Sequence, residues 1–258
     1  MGPSEDTPYQ VWDGHFATFD EAQRSLENHE LRTSLFGLPA WLSRQNLLLA
    51  DSRRSLTEVS VSGISRPTLL PLLIARGGPA ARRVVDFGGG SGWVFATCER
   101  AQIPIESYIV IELPEVVTAF AEQADNRISF CDPSAFLSMD CDLTDVMYTN
   151  SCLQYQRDNS LFLSLVNTCR SSFILIDELL WSRKDCDWFT IQQNSDSRIV
   201  SRFISVKNLI QELDGIGYTL VWRNSSAGTE ARGFPNMNTF DEQLRIHSRL
   251  SLLLKKKY

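Results

Sequence analysis

The stretch that most limits what this chain can fold into is residues 82–92. A short apolar run, Val84-Val85, meets Asp86-Phe87-Gly88-Gly89-Gly90-Ser91-Gly92 and passes into Trp93-Val94-Phe95-Ala96. This reads as a strand running into a glycine loop that opens a helix. The loop needs glycines because the chain turns sharply there and a ligand must approach its backbone closely, which a Cβ would obstruct. The dinucleotide fingerprint G-x-G-x-x-G/A fails in both registers, since Gly88-Gly90 is followed by Trp93 and Gly90-Gly92 by Phe95. No Gly-Lys-Ser/Thr follows, so the loop is not a P-loop either.

What remains is acidic-x-Gly-x-Gly-x-Gly, from Asp86 through Gly88, Gly90 and Gly92. This closely resembles the first motif of Rossmann-type methyltransferases that depend on S-adenosylmethionine (SAM). The resemblance implies that Asp86, Gly88, Gly89, Gly90 and Gly92 cradle the amino acid moiety of SAM as cofactor.

Segment order fits that fold. After a capping box at Thr18-Phe19-Asp20-Glu21, helices are expected through residue 27, over 39–50 and over 67–75, so residues 1–80 read as a helical extension. Val11-Trp12-Asp13-Gly14-His15-Phe16 shows no period. Residues 81–258 then alternate: strands at 84–87, 108–111, 127–131, 145–149 and 173–176, with helices at 91–100, 115–122 and 160–169 between them. Alternating β and α predicts an α/β class, a doubly wound parallel sheet with helices on both faces. A helix over 206–213 and a strand over 218–222 follow, and Leu244, Ile246, Leu250, Leu252 and Leu254 share one parity, which favours a last strand. Such a strand inserts antiparallel at the sheet edge or between two strands, and the seven-stranded methyltransferase sheet has one.

In a doubly wound sheet ligands bind beyond the carboxyl ends of the strands. Glu112, 26 residues beyond Asp86, follows the second strand with Leu113 beside it. It either holds both ribose hydroxyls, as the resemblance implies, or stabilises the dipole of the helix after Pro114. Asp132 stands where the family places an acid near the adenine amino group, or it builds a turn with Pro133. Asn150 and Ser151 can reach SAM, and Gln154 and Tyr155 the substrate. The Asn-Pro-Pro-Tyr type of motif that base-methylating enzymes carry there is missing. Asp177 and Glu178, followed by Trp181, are candidates for a general base, or they hydrogen-bond loop backbone or pair with Arg183. His15 is the further catalytic candidate because imidazole titrates near neutrality. Trp12 and Asp13 beside it are candidate substrate contacts.

The totals exclude several partners. A formal charge of -6 over 258 residues leaves no cationic field for nucleic acid, and Lys255-Lys256-Lys257 reads as a solvated tail. Six cysteines at 98, 131, 141, 152, 169 and 186 form no C-x-x-C pair, so no metal is expected and the thiols read as reduced. The first residues are acidic and polar and no apolar run reaches the length of a span, which together suggest a cytoplasmic protein away from the membrane. Trp12, Gly14, the glycine motif and Arg202-Phe203 also resemble a family of methyltransferases from bacterial polysaccharide gene clusters. That resemblance implies a saccharide or other small polar acceptor. The expected activity is methyl transfer to an oxygen of such an acceptor, with transfer to nitrogen of a small molecule, or a non-catalytic SAM-binding subunit, as the alternatives.

Overall fold

A computed structural model describes residues 11–27, 36, 38–53, 69–77, 81–139, 144–194, 197–226 and 235–257. Strand β1 (Trp12–Phe16) and helices α1 (Phe19–Glu27), α2 (Pro39–Arg53) and α3 (Leu70–Gly77) come first. Alternation follows in β2 (Arg83–Phe87), α4 (Trp93–Arg100), β3 (Ser107–Ile111), α5 (Pro114–Phe120), β4 (Ile128–Cys131), α6 (Pro133–Leu137), β5 (Val146–Asn150), α7 (Ser160–Cys169) and β6 (Phe173–Leu179). Then come β7 (Trp181–Ser182), β8 (Trp188–Asn194), β9 (Ser197–Ser205), α8 (Val206–Gly215), β10 (Tyr218–Ser226) and β11 (Arg249–Lys256).

Seven strands form one sheet in the order β10-β11-β6-β5-β2-β3-β4. Strands β2 to β6 run parallel, and β11 is antiparallel to both β6 and β10, between which it lies. Insertion there, rather than at the edge, covers both faces of β11. Leu250, Leu252 and Leu254 join one core with Phe162, Leu165, Leu209 and Leu213, while Leu253 packs on the other with Leu70, Val94 and Phe95. Leu253, partly buried, thus packs against the opposite core from its neighbours Leu252 and Leu254. The last lysines are tied down as well. Lys256 Nζ donates to the Arg170 carbonyl just past α7 and Lys257 Nζ pairs with Asp214 in the last turn of α8, each a cation at a helix carboxyl end.

The capping box forms as read: Glu21 N–H donates to Thr18 Oγ1 at 3.2 Å and Thr18 N–H to Glu21 Oε2 at 3.3 Å. Pro67 and Thr68, expected at the start of the third helix, lie outside the described residues. Two features depart from the expectation. The first eighty residues are not all helix, because β1 pairs antiparallel with β8. A second sheet, ordered β1-β8-β9-β7, is built largely from residues 181–205, which the pattern along the chain had left without an element. The pairing of β1 shifts register between Asp13 and Phe16, and Gly14 has φ +75°, so its faces do not alternate and the segment shows no period. One face of the small sheet stacks Trp188 on Phe203, with ring centroids 3.9 Å apart, and the other buries Phe189, Ile191 and Val200 under Ala22 and Leu26 of α1.

Candidate functional site

The glycine loop turns at the carboxyl end of the central strand, with Gly88, Gly90 and Gly92 all at positive φ. All three are held by packing as well as conformation, and a Cβ on Gly92 would meet Ile128 Cδ1 at 2.7 Å. A Cβ on Gly88 would collide with Cys152 after β5, and one on Gly90 with the side-chain amide of Gln45 on α2. Beneath the loop lies Asp86, fully buried, accepting from the Tyr108 hydroxyl at 2.6 Å through Oδ2. A Cβ on Gly89 would strike this carboxylate. The Asp86 Oδ1 atom has no partner among the described residues. Burial pushes the Asp86 carboxyl up to about 7, with the Tyr108 bond pulling it down and the charge of Glu112 adding to the rise.

Glu112 comes to the loop from the end of β3: its Oε1 accepts Gly90 N–H at 3.0 Å and its Oε2 accepts Leu113 N–H at 2.9 Å. Both readings of this acid are thus compatible with its place, since it touches the loop and the start of α5 together. Burial raises its carboxyl above the usual range, and the two backbone donors oppose this. Leu113 keeps 38% of its surface exposed at the same edge. At the end of β4, Asp132 caps α6, accepting Ser134 N–H at 2.8 Å and Ala135 N–H at 3.0 Å through Oδ1 alone. Asn150 ends β5 and donates to the Tyr148 hydroxyl at 3.0 Å, and Ser151 follows at φ +52°. These residues come from the carboxyl ends of four adjacent strands.

Helix α2 closes one side of this edge. Ser91 Oγ donates to the Gln45 carbonyl at 3.1 Å and Ser91 N–H to Gln45 Oε1 at 3.4 Å. Arg100 donates to the Asp51 carbonyl and holds the far end of the helix on α4. No spacing or motif had pointed to Gln45, because its place is set by a contact across 46 residues.

The catalytic candidates separate. Asp177 is buried, with Oδ1 accepting the Ser251 hydroxyl at 2.5 Å and Oδ2 accepting Leu69 N–H at 3.1 Å, so both oxygens serve the fold. Glu178 is half-exposed at φ +54°, one residue beyond the Asn150–Asp177 pair. Arg183 donates to the Arg245 carbonyl at 3.5 Å and bridges neither acid. His15 lies on β1, exposed, edge-on to Trp188, and its imidazole is lowered by burial and by Lys184, with Asp241 opposing. It stands three residues, about 10 Å along the strand, from the Trp12–Gln192 pair that approaches Tyr155.

The substrate candidates separate too. Trp12 is buried in a core with Trp188, Phe203 and Phe240, and Trp181 gives its indole N–H to the Ser248 carbonyl at 3.1 Å. Asp13 is exposed and accepts from Gln193 at 3.3 Å. Gln154 is buried with Oε1 lacking a partner among the described residues, and Tyr155 beside it is half-exposed, donating to Gln192 Oε1 at 3.2 Å. No group of three or more His, Cys, Asp or Glu side chains able to hold a metal occurs among the described residues, and no described helix is long and apolar enough to cross a membrane.

No family model matches the chain, and no curated protein matches its sequence. Solved structures do match in fold. A candidate methyltransferase in complex with the Trm112 methyltransferase activator, from Haloferax volcanii, gives a TM-score of 0.52 at 15% identity over 85% of this chain and 95% of that one. A candidate S-adenosylmethionine dependent methyltransferase from Listeria monocytogenes gives 0.50 at 14%, covering 73% and 98%. The glycopeptide N-methyltransferase MtfA, complexed with S-adenosylhomocysteine, gives 0.50 at 13%, covering 72% and 88%. The chain carries a Rossmann-like methyltransferase fold, with the parallel strands and the antiparallel last strand that the sequence pattern predicts.

Proposed function

We propose that this protein is a SAM-dependent methyltransferase of a small molecule, acting in the cytoplasm. The observation that carries the reading is the meeting of Glu112 with Gly90 N–H at 3.0 Å above an orphaned buried Asp86 oxygen, in a loop of positive-φ glycines. That arrangement fits SAM: a buried and a half-buried acid suit a ligand bearing an ammonium and two ribose hydroxyls. Leu113 offers an exposed apolar surface to the purine, and Asp132, with Oδ2 outside the cap, an acceptor for its amino group. The described elements β1, α1, α2 and α3 of the first eighty residues serve as a cover over the domain of residues 81–258.

When bound, SAM supplies a methyl carbon already activated by its sulfonium. The chain's own residues have to align the acceptor and exclude water, and such positioning is worth roughly 7 to 11 kcal/mol. Gln45 and Ser91 fix α2 over the loop. Among Asp177, Glu178 and His15, we place proton removal on Glu178, because it is half-exposed at the carboxyl edge one residue beyond the Asn150–Asp177 pair, whereas Asp177 is buried and His15 stands apart on β1. An oxygen acceptor needs this proton transfer most. Asn150, Ser151 and Tyr155, each half-exposed after β5, line the approach.

Calorimetry with SAM tests the reading. Saturable binding is expected, with NAD giving none, and Glu112→Ala should weaken it by about 1 to 3 kcal/mol. Once an acceptor is in hand, Glu178→Gln should slow transfer by roughly 10²-fold at unchanged SAM affinity. Absence of SAM binding by the wild type would remove the proposal.

A further inference from the structure

We infer that the acceptor is a flat conjugated ring bearing an oxygen, recognised by Phe36, Trp41 and Tyr155 with Gln192. The inference rests on the methyltransferase reading of the same site and adds the class of its substrate.

Trp41 and Gln45 are four residues apart on α2, so they share a face and lie about 6 Å apart along the axis. Gln45 touches the glycine loop. One turn away, Trp41 meets Phe36 edge-on with centroids 5.6 Å apart, and Phe36 meets Tyr155 edge-on at 5.1 Å. Tyr155 belongs to the turn after β5, whose Cys152 packs on Gly88. The three rings therefore run from α2, which touches the glycine loop, to the turn after β5 at the carboxyl edge of the sheet. All three remain half-exposed, unlike Trp12, Trp188 and Phe203 in the neighbouring core.

The polar group at this place is specific in what it offers. Gln192 Oε1 accepts from Tyr155 at 3.2 Å and from the buried Ser201 hydroxyl at 3.0 Å. With its oxygen engaged twice, Gln192 presents its amide N–H₂, and Tyr155, its proton used, presents its hydroxyl oxygen as an acceptor. A saccharide carries several hydroxyls, and each one desolvated without a partner is costly. A conjugated ring buries its faces against aromatic side chains, which favour edge-to-face contact, and one oxygen satisfies the amide.

The test is ligand-observed NMR on the full chain saturated with S-adenosylhomocysteine. A panel of mono- and bicyclic phenols with an adjacent carbonyl or methoxy oxygen is compared with size-matched methyl glycosides. Saturable binding of phenols is expected, weakened at least tenfold by Trp41→Ala and also reduced by Gln192→Leu, with glycosides silent. S-adenosylhomocysteine affinity, read by calorimetry in each variant, should hold. No phenol binding, phenol binding unchanged in both variants, or binding of glycosides alone would overturn the inference. Failure of the wild type to bind S-adenosylhomocysteine would instead remove the methyltransferase reading beneath it.

Discussion

A single buried carboxyl sets the pH response expected of the unliganded protein. Asp86 is raised from the usual 3.8 to about 7, chiefly by burial. The unfolded chain releases this proton near 3.8 and the folded one near 7, so between these values the folded state holds the extra proton. Stability from this group is full below the lower value and is lost as pH rises through the upper one, by on the order of 4 kcal/mol. Asp86→Asn keeps an oxygen for the Tyr108 hydroxyl and removes the ionisation. Urea unfolding from pH 4 to 8 should show the variant gaining on the wild type as pH rises. Parallel curves would mean that Asp86 does not carry the proton. The glycines beside it were legible in the sequence as a loop. Cys152 against Gly88 and Gln45 against Gly90 were not, because nothing along the chain links those residues.

At the scale of elements, the small sheet is tied to the large one through Arg202. The guanidinium is buried, donating to Asn159 Oδ1 at 2.6 Å and to the Leu153 carbonyl at 3.5 Å, and it pairs with Asp187 at 3.2 Å. Asp187 in turn accepts Ser205 N–H at 2.7 Å at the start of α8. Strand β9 thus anchors the turn after β5 that carries Gln154 and Tyr155. Removing a buried charge strands its partners, which typically costs 3 to 5 kcal/mol. Since Asp187 keeps some access to water, Arg202→Ala should cost about 3 kcal/mol in chemical denaturation. A loss below about 0.5 kcal/mol, the range of an ordinary surface change, would show the tie to be incidental. The Arg202-Phe203 pair carried part of the family resemblance in the sequence, and its structural work is to join β9 to that turn. The hairpin around it was readable in retrospect: aromatic and β-branched runs at 188–192 and 198–204 flank a polar Asn-Ser-Asp-Ser.

Across the whole molecule, the seven-stranded sheet has helices packed on both faces, whereas the four-stranded sheet leans on smaller cores and holds β7 by two residues only. Local opening follows burial and pairing, so native-state hydrogen exchange should show amides of β8 and β9 opening at lower free energy than those of β2 and β5. Equal protection in both sheets would mean that they unfold as one unit. The sequence by itself determined the large sheet, its glycine loop, the antiparallel last strand and the acids that follow the strands. Those signals are local, written in the period of two along strands and in residues a few places apart. Only the tertiary structure decided that β11 inserts between β6 and β10, that β1 joins β8, and that Asp177 serves the fold while Glu178 stands at the edge. It also brought Gln45 and Trp41 over the loop. Each of these rests on contacts between distant segments, and burial against a partner far along the chain leaves no mark in the spacing of nearby residues.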